Sequence, residues 1–223
     1  MKAYFITATD TDAGKTFVTA GLLEALSKQG FKTLGFKPVA SGCVMTEHGL
    51  RNDDAVKIIK ASHSEISYSQ VNPYAFEPAI APHIAAQKAG LSIYLQHITD
   101  TILSSHNDID YVLVEGVGGW MVPLNDQQTV ADLAALLNFP VILVVNMRLG
   151  CINHALLTVD AIEQKGLKIA GWIANQAENS MELLQENVAS IESRITPPLL
   201  GIIPHGAKQK DIAQYINIKQ YLL

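Results

Sequence analysis

Along the chain, apolar runs of strand length alternate with longer stretches whose apolar positions recur at helical spacing. Six runs, at 3–7, 32–36, 111–115, 141–146, 169–175 and 199–203, predict strands. They lack polar alternation, as strands covered on both faces do. Six intervening stretches, at 16–29, 53–61, 93–106, 130–137, 153–165 and 181–193, predict helices. Gly30 and Gly166 follow two of them, where a helix end calls for a left-handed residue. Alternation of β and α implies one parallel sheet with helices on both faces, an α/β architecture. No linker, charge block or long repeat interrupts it, so residues 1–223 read as a single domain.

One stretch departs from the rhythm. Residues 62–90 are rich in Ser, Pro and aromatics, around Val71-Asn72-Pro73-Tyr74 and Ala81-Pro82-His83. They predict a long irregular crossover. Such loops are uncommon in compact domains and often functional, so this one is expected to wall a site.

Composition narrows the function. With 21 acidic and 16 basic residues the net charge is −5, which speaks against a nucleic-acid partner. Cys43 and Cys151 form no close pair, so neither a disulfide framework nor a cysteine zinc site is expected. The amino terminus has no signal-like apolar region, and no apolar run reaches membrane-spanning length. The tail at 212–223 is apolar but holds one lysine, a poor membrane anchor. The expected address is the cytoplasm, with no membrane partner.

The strongest chemical signal is Ala8-Thr9-Asp10-Thr11-Asp12-Ala13-Gly14-Lys15-Thr16, between the first strand and the first helix. Gly-Lys-Thr occurs by chance in many sequences, but its placement here favours a nucleotide site. Unpaired N–H groups and the dipole at a helix start attract phosphate. Lys15 can reach β- and γ-phosphates, and the Thr16 hydroxyl can ligate Mg²⁺. The loop is imperfect, because Thr9 stands where the usual pattern has its first glycine. Element order and motif together resemble the P-loop NTPase-like class.

A phosphate-bound Mg²⁺ wants further oxygen ligands, usually one or two carboxylates. Glu115 ends a buried apolar strand and precedes Gly116-Val117-Gly118-Gly119, where the backbone can approach a ligand. Asp54 lies in Arg51-Asn52-Asp53-Asp54, a cluster in which Asn52 or Asp53 could cap the next helix, and capping and metal binding are equally good readings. Lys37 follows the second strand, and the carboxyl ends of parallel strands carry ligands. Such a lysine can stabilise charge on a transferred phosphate.

Together these residues resemble the dethiobiotin synthase family. The matching blocks begin with Thr9-Asp10-Thr11, Gly14-Lys15-Thr16 and Lys37-Pro38-Val39-Ala40-Ser41-Gly42. They continue through Leu50-Arg51-Asn52-Asp53-Asp54, Val71-Asn72-Pro73-Tyr74 and Val114-Glu115-Gly116-Val117-Gly118-Gly119-Trp120. Arg148-Leu149-Gly150-Cys151-Ile152-Asn153-His154, Gly171-Trp172-Ile173-Ala174-Asn175 and Leu200-Gly201-Ile202-Ile203-Pro204 extend them over nearly the whole chain. The resemblance implies that 7,8-diaminononanoate, CO₂ or bicarbonate and ATP give dethiobiotin, ADP and phosphate.

Carried over by resemblance, Asp12, Ala13, Gly14, Lys15, Thr16 and Phe17 form the phosphate loop, and Thr16, Asp54 and Glu115 hold Mg²⁺. Lys37 becomes the main catalytic residue beside Lys15. Ser41 and Thr11 contact substrate, while Gly116, Val117 and Gly118 approach the nucleotide. Asn175 and Gln176, with Pro204, His205, Gly206 and Asp211, are expected at adenine; an amide can both accept from N6 and donate to N7. Gly150, Cys151, Ile152 and Asn153 would seat the substrate carboxylate at a helix start. The resemblance implies that a neighbouring subunit supplies them, hence a homodimer. The family usually has glycine at position 8 and often glutamate at 12, against Ala8 and Asp12 here. Altered loop geometry rather than lost binding is expected. Replacing Lys37 or Glu115 by alanine is expected to cripple turnover and spare the fold.

Three other classes fit the sequence less well. A partitioning-type P-loop ATPase switch carries a lysine where this chain has Asp10. A larger amidoligase would add a glutaminase domain, for which there is no room. A nicotinamide-binding sheet needs GxGxxG after the first strand, which is absent.

Overall fold

The apolar runs become strands of one sheet in the computed structural model, which describes residues 1–105 and 108–221. The amino-terminal elements are β1 (Lys2–Ala8), α1 (Lys15–Ser27), β2 (Thr33–Phe36), β3 (Val39–Ser41), β4 (Val44–Thr46), β5 (Gly49–Arg51) and α2 (Asp53–Ala61). Then come α3 (Tyr68–Val71), β6 (Tyr74–Phe76), α4 (Pro82–Lys88), α5 (Leu95–Ser104), β7 (Tyr111–Glu115) and α6 (Val130–Leu137). The rest is β8 (Val141–Asn146), α7 (Cys151–Gln164), β9 (Ile169–Asn175), α8 (Leu184–Glu192), β10 (Leu199–Ile203), a 3₁₀ segment at Gln209–Gln214 and α9 (Ile218–Tyr221).

The main sheet has the order β10-β9-β8-β1-β7-β2. All of its pairings are parallel. Both faces are covered, which explains the missing alternation. In β1, Tyr4, Ile6 and Ala8 join Val18, Leu22 and Leu26 of α1 and Ile58 of α2 on one face. Phe5 joins Ile98 of α5, Leu133 of α6, Val159 of α7 and Ile191 of α8 on the other. Truncating such a side chain, for example Phe5→Ala, costs about 3–5 kcal/mol.

Helix ends follow local chemistry. Gly30 (φ +91°) and Gly166 (φ +77°) adopt the left-handed conformation expected after α1 and α7. Past each glycine the chain bonds back, Phe31 N–H to the Leu26 carbonyl and Leu167 N–H to the Ile162 carbonyl. The predicted end of α5 at His106 lies outside the described residues, as do the last two residues of the tail.

The crossover at 62–90 corrects its expectation, because it is not irregular. The α3 turn begins with a capping box between Ser67 and Gln70, β6 pairs in parallel with β3, and Pro82 opens α4. These elements are too short for periodicity to reveal. The β4–β5 hairpin escaped for the same reason.

The topology places the site. The chain leaves β1 toward β2 on one side, whereas β8 leads to β9 on the other. Neighbouring strands whose connections diverge leave a crevice beyond their carboxyl ends. The loop after β1 occupies that position, flanked by the ends of β2 and β7.

Candidate active site

The loop between β1 and α1 turns through two left-handed residues, Asp12 (φ +56°) and Gly14 (φ +91°). Aspartate enters that region more readily than most residues, so Asp12 suits its place. A Cβ on Gly14 would stand 2.1 Å from Asn175 Nδ2, so glycine is required there. Ala8 is the buried last residue of β1 and has no positive φ, so its backbone does not demand glycine. Asn175, at the end of β9, donates from Nδ2 to the Ala13 carbonyl at 2.8 Å and braces the loop.

Lys15 is buried and donates to the Asp10 carbonyl at 3.1 Å. Burial, with the Lys37 charge, pulls its pKa down to about 8 against Glu115, Asp54 and Asp12. Its side chain is held back over the loop whose amides would cradle phosphate.

Glu115 is the centre of the arrangement. It is 0% exposed at the end of β7. Its Oε1 accepts from the Lys37 ammonium at 2.6 Å and from the Thr16 hydroxyl at 2.7 Å. Oε2 is buried without a hydrogen-bond partner. Lys37 also donates to the Gly116 carbonyl at 3.0 Å and lies 3.7 Å from Asp54 Oδ2. Burial presses the Lys37 pKa down, but Glu115 and Asp54 outweigh it and the net direction is upward. The ammonium therefore keeps its proton at neutral pH.

Two expectations are refined. Of the two cap candidates Asn52, not Asp53, caps α2, accepting from Asp54 N–H and Ala55 N–H at 3.1 and 3.2 Å. The Asp54 carboxylate is left free to face Lys37. Lys37 and Glu115 stand at strand ends, as expected, but in the interior, at 4% and 0% exposure, which bears against the expectation that alanine spares the fold. Removing one partner of a buried ion pair strands the other charge and typically costs about 3–5 kcal/mol.

A cavity of about 840 Å³ opens over these groups. Thr11, Asp12, Gly14, Lys15, Thr16, Phe17, Lys37, Ser41, Asp54, Glu115, Val117 and Gly118 line it, so twelve sequence-derived candidates meet in one place. Ser41 Oγ is buried at its edge without a partner. Ala13 and Gly116 lie behind this lining, Ala13 fully buried. Residues 79–82 form an apolar wall, the part of the 62–90 stretch that reaches the cavity. Asn52, expected only as a cap or part of a matching block, also lines it; Val122 lines it too and was not singled out, since it sits in a turn that carries no motif.

The remaining candidates lie elsewhere. Asn175 and Gln176 are buried beside the loop, and Gln176 Oε1 is occupied by Met181 N–H at 2.7 Å. His205 and Gly206 are exposed beyond β10, with Pro204 and Asp211 partly covered. Strand pairing puts Ile203 beside Asn175, so these groups share the strand-end edge without lining the cavity. Gly150 (φ +94°) opens α7, with Cys151 buried and Asn153 exposed. That segment connects to the phosphate loop through Arg148, whose guanidinium donates to Asp10 Oδ2 at 2.6 Å.

Solved structures share the chain path. The MinC:MinD cell division complex of Aquifex aeolicus matches with a TM-score of 0.59 at 20% identity, over 93% of this chain and 83% of that one. Chloroplast FtsY from Physcomitrella patens matches at 0.53 and 16% identity, over 94% and 60%. MinD from Pyrococcus horikoshii OT3, complexed with Mg-ADP, matches at 0.52 and 20% identity, over 91% and 81%. The fold is therefore a P-loop NTPase-like α/β fold. Within that class, the family model described as AAA domain matches residues 2–212. The ATP-dependent dethiobiotin synthetase of Cellvibrio japonicus (strain Ueda107) is 55% identical over 91% of this chain and 89% of its own length. Those of Pseudomonas paraeruginosa and Yersinia pestis are 48% and 47% identical, over 93% and 97% of this chain. The chain belongs to the ATP-dependent dethiobiotin synthetase family.

Proposed function

We propose that this chain acts as one ATP-dependent carboxylase/ligase unit, converting 7,8-diaminononanoate, CO₂ and ATP to dethiobiotin, ADP and phosphate. The observation that carries the reading, beside family membership, is the convergence of Lys15, Lys37 and Glu115 on one cavity. One substrate amine adds to CO₂ and loses a proton, giving a carbamate. A carbamate oxygen attacks the γ-phosphorus and releases ADP. The second amine then attacks the carbamoyl carbon, expels phosphate and loses its proton as the ring closes. Phosphoryl transfer of this kind depends on positioning and electrostatics more than on covalent side-chain chemistry. Lys15 and Lys37 both bring positive charge to the cavity in which the group would be transferred, and Glu115 holds Lys37 in place. Ser41 and Thr11 are assigned to the diamine, and Asn175 with residues 204–206 to adenine.

The residues fit a magnesium ion. Thr16 Oγ1, the unpartnered Glu115 Oε2 and the Asp54 carboxylate are hard oxygen donors around the phosphate loop. Among the described residues no three acidic, histidine or cysteine side chains cluster, as suits an ion completed by phosphates and water. When bound, such an ion offsets charge on the phosphate oxygens.

We further propose a homodimer in the cytoplasm. Gly150 to Asn153 stand away from the cavity of their own chain, beside Leu149 at 95% exposure and Leu157 at 60%. That apolar surface supports a second copy delivering the segment. Among the described residues no helix is long and apolar enough to cross a membrane.

The deciding experiment measures phosphate release from MgATP and bicarbonate with and without 7,8-diaminononanoate, following dethiobiotin by mass. Diamine-dependent release matched by product is expected. Hydrolysis indifferent to the diamine, with no product, would overturn the ligase reading.

A further inference from the structure

Behind the cavity, a run of hydrogen bonds connects the backbone of Lys37 to the start of α2. Lys37 N–H donates to the Val71 carbonyl at 3.1 Å, and its own carbonyl accepts from Asn72 Nδ2 at 2.6 Å. Asn72 Oδ1 accepts from the Tyr68 hydroxyl at 2.9 Å. The Tyr68 hydroxyl oxygen in turn accepts from Asn52 N–H at 2.7 Å. Asn52 Oδ1 then accepts from Asp54 N–H, so the run ends on the residue that faces Lys37. Asn52 and Asn72 are buried, at 8% and 3% exposure.

A hydroxyl both donates and accepts, which lets one oxygen join an amide oxygen to a backbone N–H. The ring is steadied by Arg51, whose guanidinium carbon lies 4.1 Å from its centroid. Burial raises the Tyr68 pKa, so the phenol retains the proton it donates. Neither Tyr68 nor Asn72 lines the cavity. We infer that Tyr68, through Asn72 on one side and Asn52 on the other, is a positioning residue that sets the separation of Lys37 from Asp54. The use made of that separation rests on the proposed reaction; the linkage itself does not.

Tyr68→Phe keeps the ring and its stacking but removes both bonds of the hydroxyl. With diamine, bicarbonate and MgATP, kcat is expected to fall about tenfold while the KM for ATP changes less than about twofold. Adding Asn72→Ala to Tyr68→Phe is expected to lower kcat little beyond Asn72→Ala alone, because both remove one linkage. A crystal structure of Tyr68→Phe should show Lys37 Nζ and Asp54 Oδ2 farther apart than 3.7 Å with the sheet unchanged. A kcat near the wild-type value, losses that multiply, or an unchanged separation would each overturn the inference. Should the wild-type chain show no diamine-dependent turnover, the ligase reading fails, and the crystallographic separation alone decides the positioning role.

Discussion

The two halves of the strand-end edge are built on different terms. Beyond β1, β2 and β7 a buried pair, Lys37 and Glu115, gathers its neighbours: Thr16 also bonds to Glu115, and buried Asn72 holds the Lys37 backbone. Beyond β8, β9 and β10 the polar groups are either committed to the fold, as Asn175 is to Ala13, or exposed, as Asn153 and His205 are. The first half is preorganised within one chain, where a low dielectric strengthens each pairing and charge is already aimed at the cavity. The second half presents exposed groups, to which the proposed reading assigns a nucleotide base and a second copy. Preorganisation thus sits where charge must be stabilised, and adaptability where shape must be recognised.

Breaking the preorganised half should be the most damaging. Glu115→Ala leaves the Lys37 ammonium buried without its carboxylate, so unfolding in urea should show a loss of about 3–5 kcal/mol with turnover abolished. Glu115→Gln, which keeps the shape, should be milder in stability yet still defective in magnesium-dependent turnover. Next, Lys37→Ala should lower kcat by about 10²–10³-fold, the range seen when one preorganised charge-stabilising group is removed. Its KM for ATP should move far less, which steady-state kinetics checks.

The adaptable half should yield smaller effects. Asn175→Ala should weaken ATP binding about tenfold in calorimetry, through the lost brace on the phosphate loop and the loss of the proposed adenine contact. Leu149→Asp should leave ATP affinity unchanged and shift sedimentation toward monomer, with turnover falling as the protein is diluted. An unaltered sedimentation profile would remove the second copy from the site.

The gentlest probe is pH. The Lys15 pKa is lowered to about 8, so in the free protein its ammonium is lost as pH rises through 8. Affinity for ATP should therefore decline between about pH 8 and 9, since a neutral amine no longer attracts phosphate. The stability effect has the opposite sign. Between about 8 and 10.5 the unfolded chain holds more protons at this lysine than the folded one, so its contribution to stability rises with pH.

Much of this architecture was legible from local pattern alone. The runs at 111–115, 141–146, 169–175 and 199–203 coincide with β7, β8, β9 and β10, because strands packed on both faces write their burial directly into sequence. Gly14-Lys15-Thr16 announced the phosphate loop because the geometry of a helix start is itself local. The elements α3, β6 and α4 stayed hidden, since each spans no more than about two periods of its structure, too few for a pattern to repeat.

What the sequence by itself determined is the list of parts: a parallel α/β sheet, a phosphate loop, and lysine and acid at strand ends. Tertiary structure alone decided their relations. Lys37 and Glu115 are 78 residues apart in the chain yet bonded at 2.6 Å, and the cap of α2 falls to Asn52 so that Asp54 faces Lys37. It also decided that both are interior groups, so that removing either charge disturbs the fold as well as the chemistry. The physical reason is range. Propensity, capping and loop turns act over a few residues, whereas burial and ion pairing depend on which strands the sheet order makes neighbours.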